Sequence, residues 1–264
     1  MPSRSNPNKS SQKPSSKKSA ELSSPSTSSL FHSRNLHQGK YDFEKLVKAD
    51  KTPHEENLTR FIRANTFGEI SIDFADEKAV KALNRALLQL QYAVNSWNIP
   101  DDYLCPPVPG RADYIHNLAD LLASSNHGKM PKKTNIQALD IGTGANGIYP
   151  LIGAASYQWR FIASDINPNA IANLDQILLA NPQLSDKIQT RLQTDRSAYF
   201  RNVLLDDEWF DFSMCNPPFH HSLADAQEGT KRKWNNLGQS QQLNKLNFGG
   251  QDAELWCDGG ELSF

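Results

Sequence analysis

The apolar positions of the chain change their spacing near residue 135, and the elements they predict change with them. Residues 41–99 read as helical. Val80, Leu83, Leu87, Leu90, Gln91 and Val94 fall at helical intervals in a stretch from Glu77 to Asn95, with Asp76 placed as its N-cap. Ile99–Gly110 carries Pro100, Pro106, Pro107 and Pro109 and cannot continue a helix. Arg111–Ser124 resumes the helical pattern through Tyr114, Ile115, Leu118, Leu121 and Leu122. Beyond Asn135, short apolar runs predict strands over Ile136–Ile141, Trp159–Ser164, Lys187–Gln193 (the weakest) and Trp209–Cys215. Helical stretches lie between the first three, among them Pro168–Ala180, where Pro168 suits a first turn. Strands alternating with helices predict an α/β fold, a parallel sheet with right-handed crossovers. Such sheets bind ligands at the carboxyl ends of their strands, so the residues that follow each strand are the ones to read for chemistry.

Composition divides the chain into three parts. Residues 1–30 are nearly all Ser, Pro, Lys and Asn, with Glu21 as the one acid against Arg4, Lys9, Lys13, Lys17 and Lys18. They lack the aliphatic surface that offsets ordering entropy, which predicts a disordered basic tail over 1–40. A helical region over 41–134 and an α/β domain over 135–264 follow. The hydrophobic share of 38% is enough for a core, and no 18-residue apolar run exists to span a membrane. The three cysteines, Cys105, Cys215 and Cys257, are too widely spaced for a zinc site or a disulfide framework, which fits a reducing, cytoplasmic setting without metal. A net charge of −1 gives no global electrostatic pull on nucleic acid, so any such partner must meet local patches. The tail and Lys231-Arg232-Lys233-Trp234 are two candidates, each of which could equally be a solvated charge cluster.

Two post-strand loops carry the candidate chemistry. After the first strand, Gly142, Gly144 and Gly147 satisfy GxGxxG, and Asp165 ends the second strand. That pattern serves a dinucleotide or S-adenosylmethionine, since both offer a ribose to a carboxylate. Asp140, two residues before the first glycine, would repel a pyrophosphate and attract the cationic amino-acid end of S-adenosylmethionine, which favours the methyl donor. The fourth strand runs into Asn216-Pro217-Pro218-Phe219. An adenine N6 amine is a poor nucleophile because its lone pair is delocalised into the ring. Acceptors on its two hydrogens, the Asn216 side-chain oxygen and the Pro217 carbonyl, would localise that lone pair, and Phe219 offers a face for the base. Read alone, the tetrapeptide could merely end a strand; its order after the glycine loop and Asp165 favours catalysis.

These stretches, taken together with others, resemble one family. Val80–Asn84, Leu104–His116, Leu139–Gly142, Ile148–Gly153, Cys215–His220, Leu246–Gln251 and Glu254–Cys257 are similar, in order, to ribosomal RNA large subunit methyltransferase F, an adenine-N6 methyltransferase of 23S rRNA with eukaryotic relatives that include a U6 spliceosomal RNA methyltransferase. The resemblance implies a class I, Rossmann-like S-adenosylmethionine site on Asp140, Gly142, Gly144 and Asp165, with the adenine held by Asn216 and Phe219. It also suggests that Arg111 reaches the cofactor carboxylate or RNA, unless it is simply a surface charge where a helix starts. His220 and His221 would flank the loop as polar residues rather than as a metal pair. Family members continue past Gly259–Phe264 with a helix and further strands, so the expectation is a sheet incomplete on its C-terminal side, with the fourth strand at an open edge. Other acceptors for the same fold are a protein glutamine or a DNA adenine; a nicotinamide oxidoreductase is the more distant alternative. The partner expected is large-subunit rRNA, free or in an assembling particle, with the protein a monomer. The residue that reads the cofactor adenine is unassigned, Asp195 being a guess.

Overall fold

Four parallel strands, β3 (Gln137–Ile141), β4 (Arg160–Asp165), β5 (Ile188–Leu192) and β6 (Phe212–Cys215), form the central sheet in the order β5-β4-β3-β6 of this computed structural model. It describes residues 31–101, 103–131 and 136–218, together with 220, 222 and 257. The two inner strands are buried along almost their whole length, which explains their near-continuous apolar runs. The crossover helices α4 (Ile148–Tyr157) and α5 (Pro168–Leu179) carry the chain from β3 to β4 and from β4 to β5. β6 instead joins the other side of β3, so the strand order reverses between β3 and β6, where a crevice opens in sheets of this kind. Register sets the strand ends abreast: Ile141 pairs with Ser164 and with Cys215, and Asp165 with Leu192.

The N-terminal helices are part of the same core. One apolar cluster runs from Phe43 and Leu46 in α1 (Phe43–Ala49), through α2 (Glu77–Tyr92) and α3 (Val108–Ser125), to Phe161 and Met214 of the sheet. The opposite face of the sheet buries Leu139 and Ile162 under Val203 of the β5–β6 connection. Asp76 caps α2 as the spacing predicts, its carboxylate accepting from the amides of Lys78 and Ala79. Buried polar side chains fasten the loops: Asn181 accepts from the Asn95 amide at 2.7 Å and donates to Ser96 O at 2.6 Å, and Asn84 donates to Pro106 O at 2.7 Å.

Three expectations need correction. The span 41–99 is not continuously helical: after α1 come a 3₁₀ turn (Leu58–Arg60) and a two-stranded antiparallel hairpin, β1 (Arg63–Ala64) with β2 (Ile70–Ser71). The proline-rich stretch continues no helix through Pro107, as expected, but α3 begins at Val108 rather than Arg111, because Pro109 suits its first turn, where a missing N–H costs nothing. The basic tail does not extend to residue 40 as an unpacked segment. Asn35 and His37 are buried, Asn35 Nδ2 donates to Pro109 O at 3.0 Å and Asp113 Oδ1 at 3.2 Å, and Arg34 donates to His116 O and Asp120 Oδ1. This strap is held by polar bonds, which hydropathy does not register. Residues 1–30, the Lys231–Trp234 patch and the motif residues 246–256 lie outside the described residues. Among the described residues, no helix is long and apolar enough to cross a membrane.

Candidate active site

A cavity of about 570 Å³ lies over the carboxyl ends of the strands. Its walls bring together Gly142, Thr143 and Gly144 after β3, Asp165 and Asn167 after β4, Gln193 and Arg196 after β5, and Asn216 and Pro218 after β6. Tyr103, Leu104, Pro106 and Arg111 close it from the proline-rich segment and the start of α3. The volume falls in the range of small-molecule sites.

The glycine loop turns sharply because Gly142 and Gly144 adopt φ of +71° and +66°. Its amides are tied back to β4: those of Gly142 and Thr143 donate to Ser164 O at 2.9 Å, and that of Gly144 to Asp165 Oδ2 at 2.8 Å. Gly147 (φ +53°) precedes α4, and a Cβ there would stand 2.4 Å from Leu174 Cδ1, so helix packing as well as backbone conformation demands glycine. The Asp165 carboxylate also accepts from the Asn167 amide at 2.8 Å, which leaves lone pairs for a hydroxyl. Burial raises its pKa above the usual carboxylate value, while those backbone bonds oppose the rise.

Asp140 is 1% exposed, and its Oδ2 has no hydrogen-bond partner among the described residues. Burial pushes its carboxyl up to about 7; the neighbouring Thr143 side chain and, less, Arg111 oppose the rise, and the Asp165 charge adds to it. A buried carboxyl with an unpaired oxygen, two residues before the glycine loop of the cavity wall, has the chemistry to attract an α-ammonium group, although Asp140 itself does not line the cavity. The site thus suits S-adenosylmethionine: a carboxylate for the amino-acid end, another for the ribose, and room for the nucleoside.

Asn216 follows β6 directly, partly buried, and its Oδ1 accepts from Arg111 Nη1 at 2.8 Å. The same nitrogen donates to Tyr149 Oη at 2.6 Å, and the guanidinium carbon lies 5.3 Å from the Tyr149 ring centroid. Arg111 Nε is buried without a partner among the described residues. Cys215 borders the cavity as a neutral thiol: burial, and then the charges of Asp140 and Asp165, push it up to about 12. The Cys257 amide donates to His220 O at 3.2 Å, which brings residue 257 back to the segment that follows β6.

Gly142, Gly144, Asp165, Arg111 and Asn216 therefore line one crevice, with Pro217 between Asn216 and the lining residue Pro218, whereas Asp140 is buried in β3 and is not part of the wall. Phe219 and His221 lie outside the described residues. Asp195 is not in the wall; it accepts from Ser197 and from Arg201 Nη2 at 2.8 Å, while Gln193 and Arg196 line the cavity in its place. The wall residues Tyr103, Leu104 and Tyr149 went unremarked as site residues, although Leu104 and Tyr149 lie in stretches matched to the family. Among the described residues no His, Cys, Asp and Glu cluster could hold a metal.

A reversing parallel sheet with a glycine loop, a strand-end aspartate and an Asn-Pro-Pro loop at one crevice defines a class I S-adenosylmethionine-dependent methyltransferase, and solved structures bear this out. The chain is similar to the catalytic domain of human METTL16 in complex with a MAT2A 3′UTR hairpin, with a TM-score of 0.68 and 30% identity over 90% of this chain and 75% of that one. It is similar also to the N-terminal domain of human METTL16 in complex with SAH, with a TM-score of 0.62 and 30% identity over 81% and 80% of the two chains. A family model described as RNA methyltransferase matches residues 25–264. Ribosomal RNA large subunit methyltransferase F of Shewanella denitrificans is 54% identical over 89% of this chain and 66% of its own length; that of Pseudomonas aeruginosa strain LESB58 is 52% identical over 90% and 70%. The chain belongs to the ribosomal RNA large subunit methyltransferase F family, whose cofactor is S-adenosylmethionine, and it spans about two thirds of the length of these relatives.

Proposed function

We propose that this chain transfers a methyl group from S-adenosylmethionine to the N6 amine of an adenine in large-subunit (23S) ribosomal RNA. The observation that carries the proposal is the placement of Asn216 Oδ1 at the crevice, on the strand next to the glycine loop, with its oxygen end oriented by Arg111. An oxygen there can accept one amine hydrogen, and the Pro217 carbonyl is the candidate for the second. The base would stack on Phe219, which at roughly 1–3 kcal/mol offsets much of the cost of drawing it out of its stack. Asp140 would hold the ammonium of the cofactor, Asp165 its ribose, and the turn at Gly142 and Gly144 would let the backbone approach it. Arg111, whose side chain lines the cavity, would be the donor to the cofactor carboxylate.

The bound cofactor supplies a methyl on a positively charged sulfur. The N6 nitrogen, its lone pair localised by Asn216 Oδ1 and the Pro217 carbonyl, would take that methyl, the S–C electron pair remaining on sulfur and the amine proton passing to water. No side chain need become charged, in keeping with the neutral thiol of Cys215.

The names of the bacterial relatives and the RNA-bound human domain support an RNA acceptor. The proposal is tested by methyl transfer to unmodified large-subunit rRNA, with duplex DNA and a glutamine-bearing protein fraction alongside. N6-methyladenine in the RNA, reduced about 10²–10³-fold in Asn216→Ala, is the result expected from losing one oriented hydrogen-bonding group. Label in DNA or protein alone would replace the acceptor.

A further inference from the structure

We infer that Arg111, held by Tyr149, is a positioning residue that fixes which end of the Asn216 side-chain amide faces the acceptor base. This rests on the proposed role of Asn216. A side-chain amide has an oxygen end and an NH₂ end of almost the same shape. Only the oxygen accepts from an amine, and a half-turn of the amide would present hydrogens to hydrogens. Asn216 is only partly buried and sits at the end of the strand, so packing alone does not choose between the two orientations.

A guanidinium has donors and no acceptor, so its contact with Asn216 at 2.8 Å is compatible with one orientation of that amide. The bond uses one of two lone pairs on Oδ1 and leaves the other for the base. Arg111 is fixed in turn by Tyr149 Oη at 2.6 Å. Tyr149 is 8% exposed in α4 and packs against Tyr114 with ring centroids 5.5 Å apart. Three elements remote in sequence thus set one torsion. Among the described residues Tyr149 Oη and Asn216 Oδ1 share Arg111 Nη1 as their donor, so the contribution of the hydroxyl to Asn216 passes through Arg111.

Two readouts test this on the full 264-residue chain. The first needs no turnover: the side-chain NH₂ resonances of Asn216, assigned with Asn216→Ala, are recorded in the native protein, Arg111→Met and Tyr149→Phe. One sharp pair in the native protein that becomes doubled or exchange-broadened in Arg111→Met is the expected result; an unchanged pair overturns the inference. The second separates kcat from cofactor affinity. Tyr149→Phe should lower kcat about 5–20-fold with the Kd for S-adenosylhomocysteine within twofold, and Arg111→Lys, which keeps the charge but not the planar fork, should rescue only part of the Arg111→Met loss. A Kd weakened in Tyr149→Phe with kcat unchanged would mean that Tyr149 acts through cofactor binding and would sink the positioning role. Inactive native protein would count against the proposed function, while the amide resonances would still decide the inference.

Discussion

The carboxyl of Asp140 meets two opposed demands: burial favours its neutral form, and the ammonium it is proposed to hold favours the charged one. With its pKa pushed up to about 7 in the ligand-free protein, it is partly protonated at neutral pH. Binding a cation must expel that proton, so affinity for S-adenosylhomocysteine should rise as pH increases from 6 through 7 and level off above. Calorimetry at pH 6, 7 and 8 in buffers of different ionisation enthalpy checks this, since proton release adds a buffer-dependent heat. A flat Kd between pH 6 and 8 would place the ammonium elsewhere. Asn216 illustrates the same dependence on neighbours, because the chemistry of its oxygen belongs to a trio made with Arg111 and Tyr149.

At the scale of elements, helix α4 couples the site to the sheet. Gly153 lies on its buried side, where an added Cβ would stand 2.5 Å from Phe161 Cζ and 2.7 Å from Cε2. Phe161 is 1% exposed and has no room to retreat, so Gly153→Ala should destabilise the protein by about 1–3 kcal/mol, read as an earlier urea midpoint. An unchanged midpoint would show that β4 can shift away from α4. Much of this level was legible in the amino-acid order. The four parallel strands and the capped helices α2 and α5 write their periodicity and their caps locally, and the strand ends then identify Asp140, Asp165 and Asn216. What stayed hidden is non-local and polar. The strap of Asn35 and His37 is held by hydrogen bonds to α3 and α2 respectively, and the bond from Arg111 to Asn216 joins positions 105 apart. The hairpin of β1 and β2 has strands of two residues, too short to show an alternation. Asp195 looked available because it is acidic and follows a strand, but Ser197 and Arg201 occupy it.

For the molecule as a whole, the docked strap predicts a sensitivity to acid. His37 Nε2 lies 3.0 Å from Tyr92 Oη, and His116 Nδ1 lies 2.7 Å from Tyr157 Oη. Burial lowers both histidines to about 4; the charge of His116 adds to this for His37, and those of His32 and Arg34 for His116, where Asp113 and Asp120 oppose it. The unfolded chain takes up these protons near pH 6.5 and the native one only near 4, so stability is lost as pH falls between those values, by about 1–3 kcal/mol per histidine. Melting temperatures at pH 7.5, 6 and 5 should fall in that order, and less steeply in His116→Gln. Equal slopes would assign the loss to other groups.

The strand order also bears on synthesis. β3 is made before β4 and β5, which pair along one side of it, and its other side waits for β6, some 75 positions later. A ribosome paused before residue 212 would carry a nascent sheet whose central strand is open along that side, with neither Asn216 nor the bond to Arg111 yet available. Such an edge invites pairing with other chains, and on this ground the interval between the synthesis of β5 and that of β6 is when the nascent chain most needs a chaperone at its side.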